Sequence, residues 1–155
     1  MLFRSVFTPQ VVVNGGVHLV GSDRAAVARA VAEQAVLPVP VDLETRGDAL
    51  VVSIGDAGDA IPTSGATVWI VRYDVLRTIT VARGENKGRS LAYAHLVRSL
   101  QPIGMWKGMP LRIELPRQEI VQDDDVGCAV LVQTEQDGAP GPIVGARVLQ
   151  APPRS

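Results

Sequence analysis

The sequence predicts a mainly β protein: an antiparallel β-sandwich preceded by a β-β-α unit. Three observations carry that prediction. From residue 38 onward, apolar and polar residues alternate at period two in about eight short runs bounded by turn residues, with no helical period between them. Before them, one stretch over 23–36 has apolar residues at helical spacing. Hydrophobic residues make up 46% of the chain but aromatic residues only 4%, so the core must be built from Val, Leu, Ile and Ala.

The elements follow in order. Val11-Val12-Val13 running into Asn14-Gly15-Gly16 reads as a strand entering a tight turn, with Val17-His18-Leu19-Val20 returning. Ser22 is placed to cap a helix over about 23–36, with Asp23 in its first turn near the positive end of the dipole. Val27, Ala30, Val31 and Ala35 form its apolar stripe, and Pro38 and Pro40 end it. Val39, Val41 and Leu43 then alternate with polar partners, Arg46-Gly47-Asp48 turns the chain, and Leu50–Ile54 returns. A loop rich in Gly, Asp, Pro and Ser occupies 55–65. Further strands are expected at Thr67–Tyr73, Leu76–Ala82, Leu91–Leu100, Leu111–Leu115, Cys128–Gln133 and Ile143–Leu149. Two parts result, residues 1–37 and residues 38–155. Two strands and a helix bury too little to stand alone, so the first part packs on the second or belongs to a larger sheet.

Charge and composition exclude several functions. Net charge is -1, which disfavours nucleic acid and anionic membrane as the main partner. No apolar run is long enough to span a bilayer. One cysteine, Cys128, leaves no internal disulfide, no redox pair and no zinc-finger site; in its apolar strand it is expected to be buried and inert. The residues from Arg83 to Arg117 carry seven bases and two acids, whereas Gln118 to Asp137 carry six acids and no base. These strips are expected to attract each other in the fold. Met1–Ser5 lacks the charged and apolar regions of a signal peptide and reads as a cut end.

Phe7 to Gly15, Val20 to Val27, the run Arg83-Gly84-Glu85-Asn86-Lys87-Gly88-Arg89 with Leu91, Tyr93, Val97 and Arg98, Gly127 to Gln133, and Gly141 to Ala146 together resemble a domain-of-unknown-function family of secreted thioredoxin-like proteins. The resemblance runs through nearly the whole chain from Phe7. It implies that 1–37 is the β-β-α end of a thioredoxin-like domain, that a Cys-x-x-Cys half is absent, and that the protein is periplasmic or secreted. It also implies that Pro9 follows a cis peptide bond. The family usually shows His-Asn where this chain has Ala94-His95, so a role resting on that Asn does not transfer.

Candidate site residues cluster around the RGEN motif. Arg83, Glu85, Asn86 and Arg89 lie in an expected five-residue hairpin loop, followed by Tyr93, His95 and Arg98. Two readings are open. Arg83 and Arg89 can tie a structural hairpin to Glu85 or to nearby carbonyls. Alternatively, Arg89, Tyr93 and His95 share a face and, with the loop, form a rim for a carboxylate or a sugar. His18 stands too far along the chain from His95 for a paired metal site, and Asp123-Asp124-Asp125 lacks calcium-loop spacing. No phosphate loop, nucleophile elbow or carboxylate pair is present, so no catalytic residue and no cofactor is expected. The functional expectation is a non-catalytic binding or interaction module with an unspecified protein or small-molecule partner. Two alternatives stand beside it: a truncated envelope thiol-disulfide oxidoreductase whose CxxC half is missing, and a hydrolase or lyase centred on the same residues.

Overall fold

The computed structural model describes residues 8–34, 36–58, 64–122 and 126–149. Strands β1 (Gln10–Val13) and β2 (Val17–Val20) and helix α1 (Arg24–Glu33) come first. Then follow β3 (Val41–Arg46), β4 (Ala49–Ile54), β5 (Ala66–Thr80), β6 (Ser90–Trp106), β7 (Leu111–Pro116), the short helix α2 (Arg117–Ile120), β8 (Val126–Gln136) and β9 (Ala139–Val148). Every strand pair is antiparallel.

A three-stranded sheet in the order β3-β4-β7 faces a four-stranded sheet in the order β6-β5-β8-β9. Alternation makes the sandwich. Leu50, Val52 and Ile54 of β4 meet Val68 and Ile70 of β5 and Val130 and Val132 of β8 in one buried cluster. Trp106 closes that core, and its indole Nε1 donates to the Gly55 carbonyl at 3.1 Å, which satisfies its one polar atom.

The two-strand opening unit stays apart. β1 and β2 pair only with each other among the described residues. Their turn takes Asn14 and Gly15 to φ 47° and 71°, and a side chain at Gly15 would come within 2.8 Å of the Gly141 carbonyl. This close approach docks the turn on β9, where Ile143 N–H donates to the Asn14 carbonyl at 2.7 Å. The Thr8–Pro9 peptide bond is cis.

Several expectations need correction. Asp23, not Ser22, caps α1: its Oδ1 accepts from Ala26 N–H at 3.0 Å, and the helix ends at Glu33. Of the expected apolar stripe, Ala30 is buried while Val31 is 53% exposed; Ala35 lies outside the described residues. Asp74 and Val75 do not form a turn. β5 runs unbroken through them because two arginines neutralise the buried Asp74 carboxylate. β6 does not stop at Leu100 but crosses Pro102, because it is the sheet's edge strand, where a missing N–H need break no ladder bond. Among the described residues, no ion pair joins the basic strip to the acidic one. The Asp123-Asp124-Asp125 run, part of the 55–65 loop and residues 1–7 lie outside the described residues.

Candidate functional site

The RGEN motif sits at the end of a projecting arm. Among the described residues, β8 pairs with β5 only from Ala66 to Asp74, whereas β6 follows β5 on to Thr80. Beyond Asp74 the sheet is therefore a two-stranded ribbon. Val75–Thr80 and the β6 residues opposite it are exposed except Leu91, which is half-buried. The strands are rich in β-branched and apolar residues, which sustains extended backbone without a third strand beside it.

The loop at the tip is held by its own backbone. Val81 N–H donates to the Arg89 carbonyl and Gly88 N–H to the Val81 carbonyl, both at 2.9 Å. Gly84 and Gly88 adopt φ 87° and 83°, which the turn requires and L side chains rarely take. Arg83, Glu85, Asn86 and Arg89 are all exposed there. Arg89 Nη1 reaches Asn86 Oδ1 at a long 3.4 Å, and neither arginine pairs with Glu85. The expected tie of Arg83 and Arg89 to Glu85 does not form, because the backbone bonds already close the loop.

Tyr93 sits midway along the arm, directly opposite Arg77. His95 and Arg98 belong to its root. The β5–β6 ladder slips by one residue beside Arg72 and Tyr73, and His95 takes a left-handed backbone with φ 53°. The His95 ring meets the Tyr73 ring edge-on, with centroids 5.2 Å apart. Arg98 Nε donates to Asp74 Oδ1 at 2.5 Å, and Arg77 Nη1 donates to Oδ2 at 3.3 Å. Asp74 is 4% exposed, so this clamp is the buried polar feature of the root.

The seven candidate residues thus separate into four at the tip, Tyr93 midway, and His95 and Arg98 at the root. Nine residues of strand separate Arg89 from Arg98, about 30 Å at the usual rise. The tip group offers charged side chains to solvent on a convex hairpin. The root group is occupied with internal contacts. Arg83, Glu85, Arg89, Tyr93 and His95 are strung along the exposed arm and do not converge, which gives the hydrolase or lyase reading no geometric support.

Sequence reasoning missed Tyr73, Asp74, Arg77 and Gly127. The Tyr73 ring lies across Gly127, its direct cross-strand partner: a Cβ there would fall 2.2 Å from Tyr73 Cε2. Burial raises the Tyr73 pKa above its ordinary value, with a smaller contribution in the same direction from Cys128. One signal was available in the sequence: an acid at an inward phase of an apolar run.

Cys128 is buried at 1% exposure. Desolvation pushes its thiol up to about 11, although Arg72, directly opposite on β5, pulls it the other way. It is a core residue with no thiolate to offer near neutral pH. Among the described residues no group of three metal-ligating side chains converges, and no helix is long and apolar enough to cross a membrane. His18 instead contacts Gln10, with Nδ1 and Nε2 3.1 Å apart.

Clefts lie elsewhere among the described residues. One of about 420 Å³ follows β1 and α1, lined by Val11, Val12, Val13, Val31 and Leu37 with Asn14 and Gln34. The second, about 490 Å³, lies between Leu43–Thr45 and Arg147–Leu149, with Arg117 also on its wall. The first runs along the edge of β1 that no other described strand pairs with. Gly21 N–H donates to the Pro9 carbonyl, so alternation turns the amides and carbonyls of Gln10 and Val12 away from β2.

Fold and surface define a mainly β protein with a small β-β-α unit, a long ribbon arm and a core cysteine. Residues 2–133 match the family described as protein of unknown function (DUF1223), and the chain belongs to that family. A crystal structure of an Agrobacterium tumefaciens protein is similar, with a TM-score of 0.75 and 33% identity. That match covers 94% of this chain and 63% of the other, so the chain spans less than two thirds of that relative's length. No curated protein matches the chain.

Proposed function

We propose that this chain is a binding or interaction module, non-catalytic as it stands, of a thioredoxin-like protein located in the periplasm or secreted. The observation that carries the reading is the arm. A ribbon with exposed apolar side chains along its length and Arg83, Lys87 and Arg89 at its tip contributes little to the core. Exposed apolar surface of that kind marks interaction sites. Residues 38–155 form the module, and residues 1–37 are the end of a second domain whose sheet continues beyond β1. The open edge of β1 and the apolar cleft beside it support that division, because two strands and one helix cannot supply an independent core.

The same open edge favours one alternative: the parent protein is an envelope thiol-disulfide oxidoreductase whose cysteine pair lies in the missing half. Both readings predict that the present chain has no thiol chemistry, because Cys128 is buried and protonated. Insulin reduction by the purified 155-residue chain is expected to stay at the rate of the uncatalysed control. A rate above that control, lost on Cys128→Ala, overturns the non-catalytic reading. The complete gene product separates the two readings, since only the oxidoreductase reading requires insulin reduction once that product is assayed.

A further inference from the structure

We propose that one face of the β5–β6 arm is a docking surface for the polypeptide that completes the β1–β2–α1 sheet. The proposal rests on the two-domain reading above and adds a contact that this reading does not contain.

The arm is amphipathic across its thickness. Directly opposed residues of an antiparallel pair share a face. Tyr73 with Val97, Arg77 with Tyr93, and Ile79 with Leu91 therefore lie on one side, together with Val75. Leu76 with Ala94, Thr78 with Ala92, and Thr80 with Ser90 lie on the other. The first face carries a strip of six apolar or aromatic side chains, interrupted by Arg77 and His95, and the second is mostly small or polar. Yet the strip is open: Val97 is 57% exposed, Val75 43% and Tyr93 41%. A period-two pattern with one apolar side is the pattern of a sheet face that meets a core. Nothing among the described residues covers it.

Size chooses the occupant. The strip spans about seven residues of a two-stranded ribbon, about 23 Å by 10 Å, hence about 230 Å². A stable complex between free partners buries about 800 Å² on each side. The strip alone is too small to hold a second copy or a free protein. A covalently continuous domain needs far less area, because tethering removes most of the entropic cost of association.

The relative supports such an occupant. Its match takes in 94% of this chain, hence most of the arm, yet more than a third of its own chain has no counterpart here. This chain also shows a second uncovered apolar surface, the cleft beside β1. The Asp74 clamp fits the assignment: a buried carboxylate held by Arg77 and Arg98 fixes the direction in which the arm leaves the sandwich.

The test is hydrogen exchange read by mass spectrometry on the complete gene product and on the 155-residue chain. In the complete product, amides of Val75–Val81 and of Arg89–Val97 are expected to exchange at least tenfold more slowly, as are those of Gln10 and Val12. Tyr93→Asp is expected to reverse the slowing at the arm and to lower the melting temperature of the complete product. In the 155-residue chain the same variant should leave melting unchanged. Slowing at β1 without slowing at the arm overturns the proposal and leaves the two-domain reading standing. Slowing at neither site, or at the arm alone, removes both. Arm exchange in the 155-residue chain that slows with protein concentration assigns the strip to a second copy instead, which also overturns the proposal.

Discussion

Gly127→Ala probes the root of the arm, and the geometry sets the sign of its effect. A Cβ at 127 would stand 2.2 Å from Tyr73 Cε2, 2.3 Å from Cζ and 2.6 Å from Oη. These are ring atoms fixed by the Tyr73 backbone, so the ring must swing off the sheet. Gly127 is in turn tied to Tyr73 by the β5–β8 register, which limits backbone escape. Overpacking of this kind costs about 1–3 kcal/mol. The gain from replacing a strand glycine, about 0.5–1 kcal/mol, offsets only part of it. Gly127→Ala is therefore expected to destabilise by about 1–2 kcal/mol in urea unfolding. Tyr73→Ala alone loses a half-buried ring and costs about as much. In the Tyr73→Ala background the clash is absent, and adding Gly127→Ala is expected to be neutral or to stabilise by up to about 1 kcal/mol. The cycle should therefore be strongly non-additive. Additive costs within about 0.3 kcal/mol would refute the placement of the ring over the glycine.

Other outcomes follow from the same contacts. Asp74→Ala leaves Arg77 and Arg98 without their shared carboxylate; with both arginines about half exposed the loss is expected at about 1–2 kcal/mol, together with faster proteolysis within the arm. Cys128 is expected to react with a thiol reagent at pH 8 only at the rate of global unfolding, and rapid labelling of the folded chain would show an accessible thiol. The folded thiol titrates near 11 against an ordinary 9.0, so the unfolded chain releases its proton first. The stability this group contributes is complete below pH 9 and declines between pH 9 and 11, and Cys128→Ala should flatten that decline. Asp23→Ala removes the side chain that accepts from Ala26 N–H and is expected to cost the α1 unit about 1 kcal/mol, seen as faster amide exchange over its first turn. Gly145→Ala should loosen the seam between the sheets, because its Cβ would stand 2.8 Å from Val41 Cγ2 and 2.9 Å from the Val39 carbonyl.

What the sequence determined by itself was local. Period-two alternation placed the strands from Val41 to Val148, Asn14-Gly15-Gly16 marked the first turn, and helical spacing located α1 to within a few residues. Backbone sterics and side-chain periodicity act over a handful of neighbours, and a single sequence displays them. It also fixed what Cys128 cannot do, since one thiol has no partner within the chain.

The tertiary structure decided what depends on residues far apart in the chain. Asp74 looked like the end of a strand until Arg98 reached it across the ladder. Gly127 looked like an ordinary strand boundary until the Tyr73 ring lay over it. The sequence left open a single rim made of the loop with Tyr93 and His95, but the rise of an extended strand puts Arg89 about 20 Å from His95. Above all, among the described residues β8 pairs with β5 only as far as Asp74, while β6 continues to pair to Thr80. That offset is a property of how three strands align, and no window of sequence contains it.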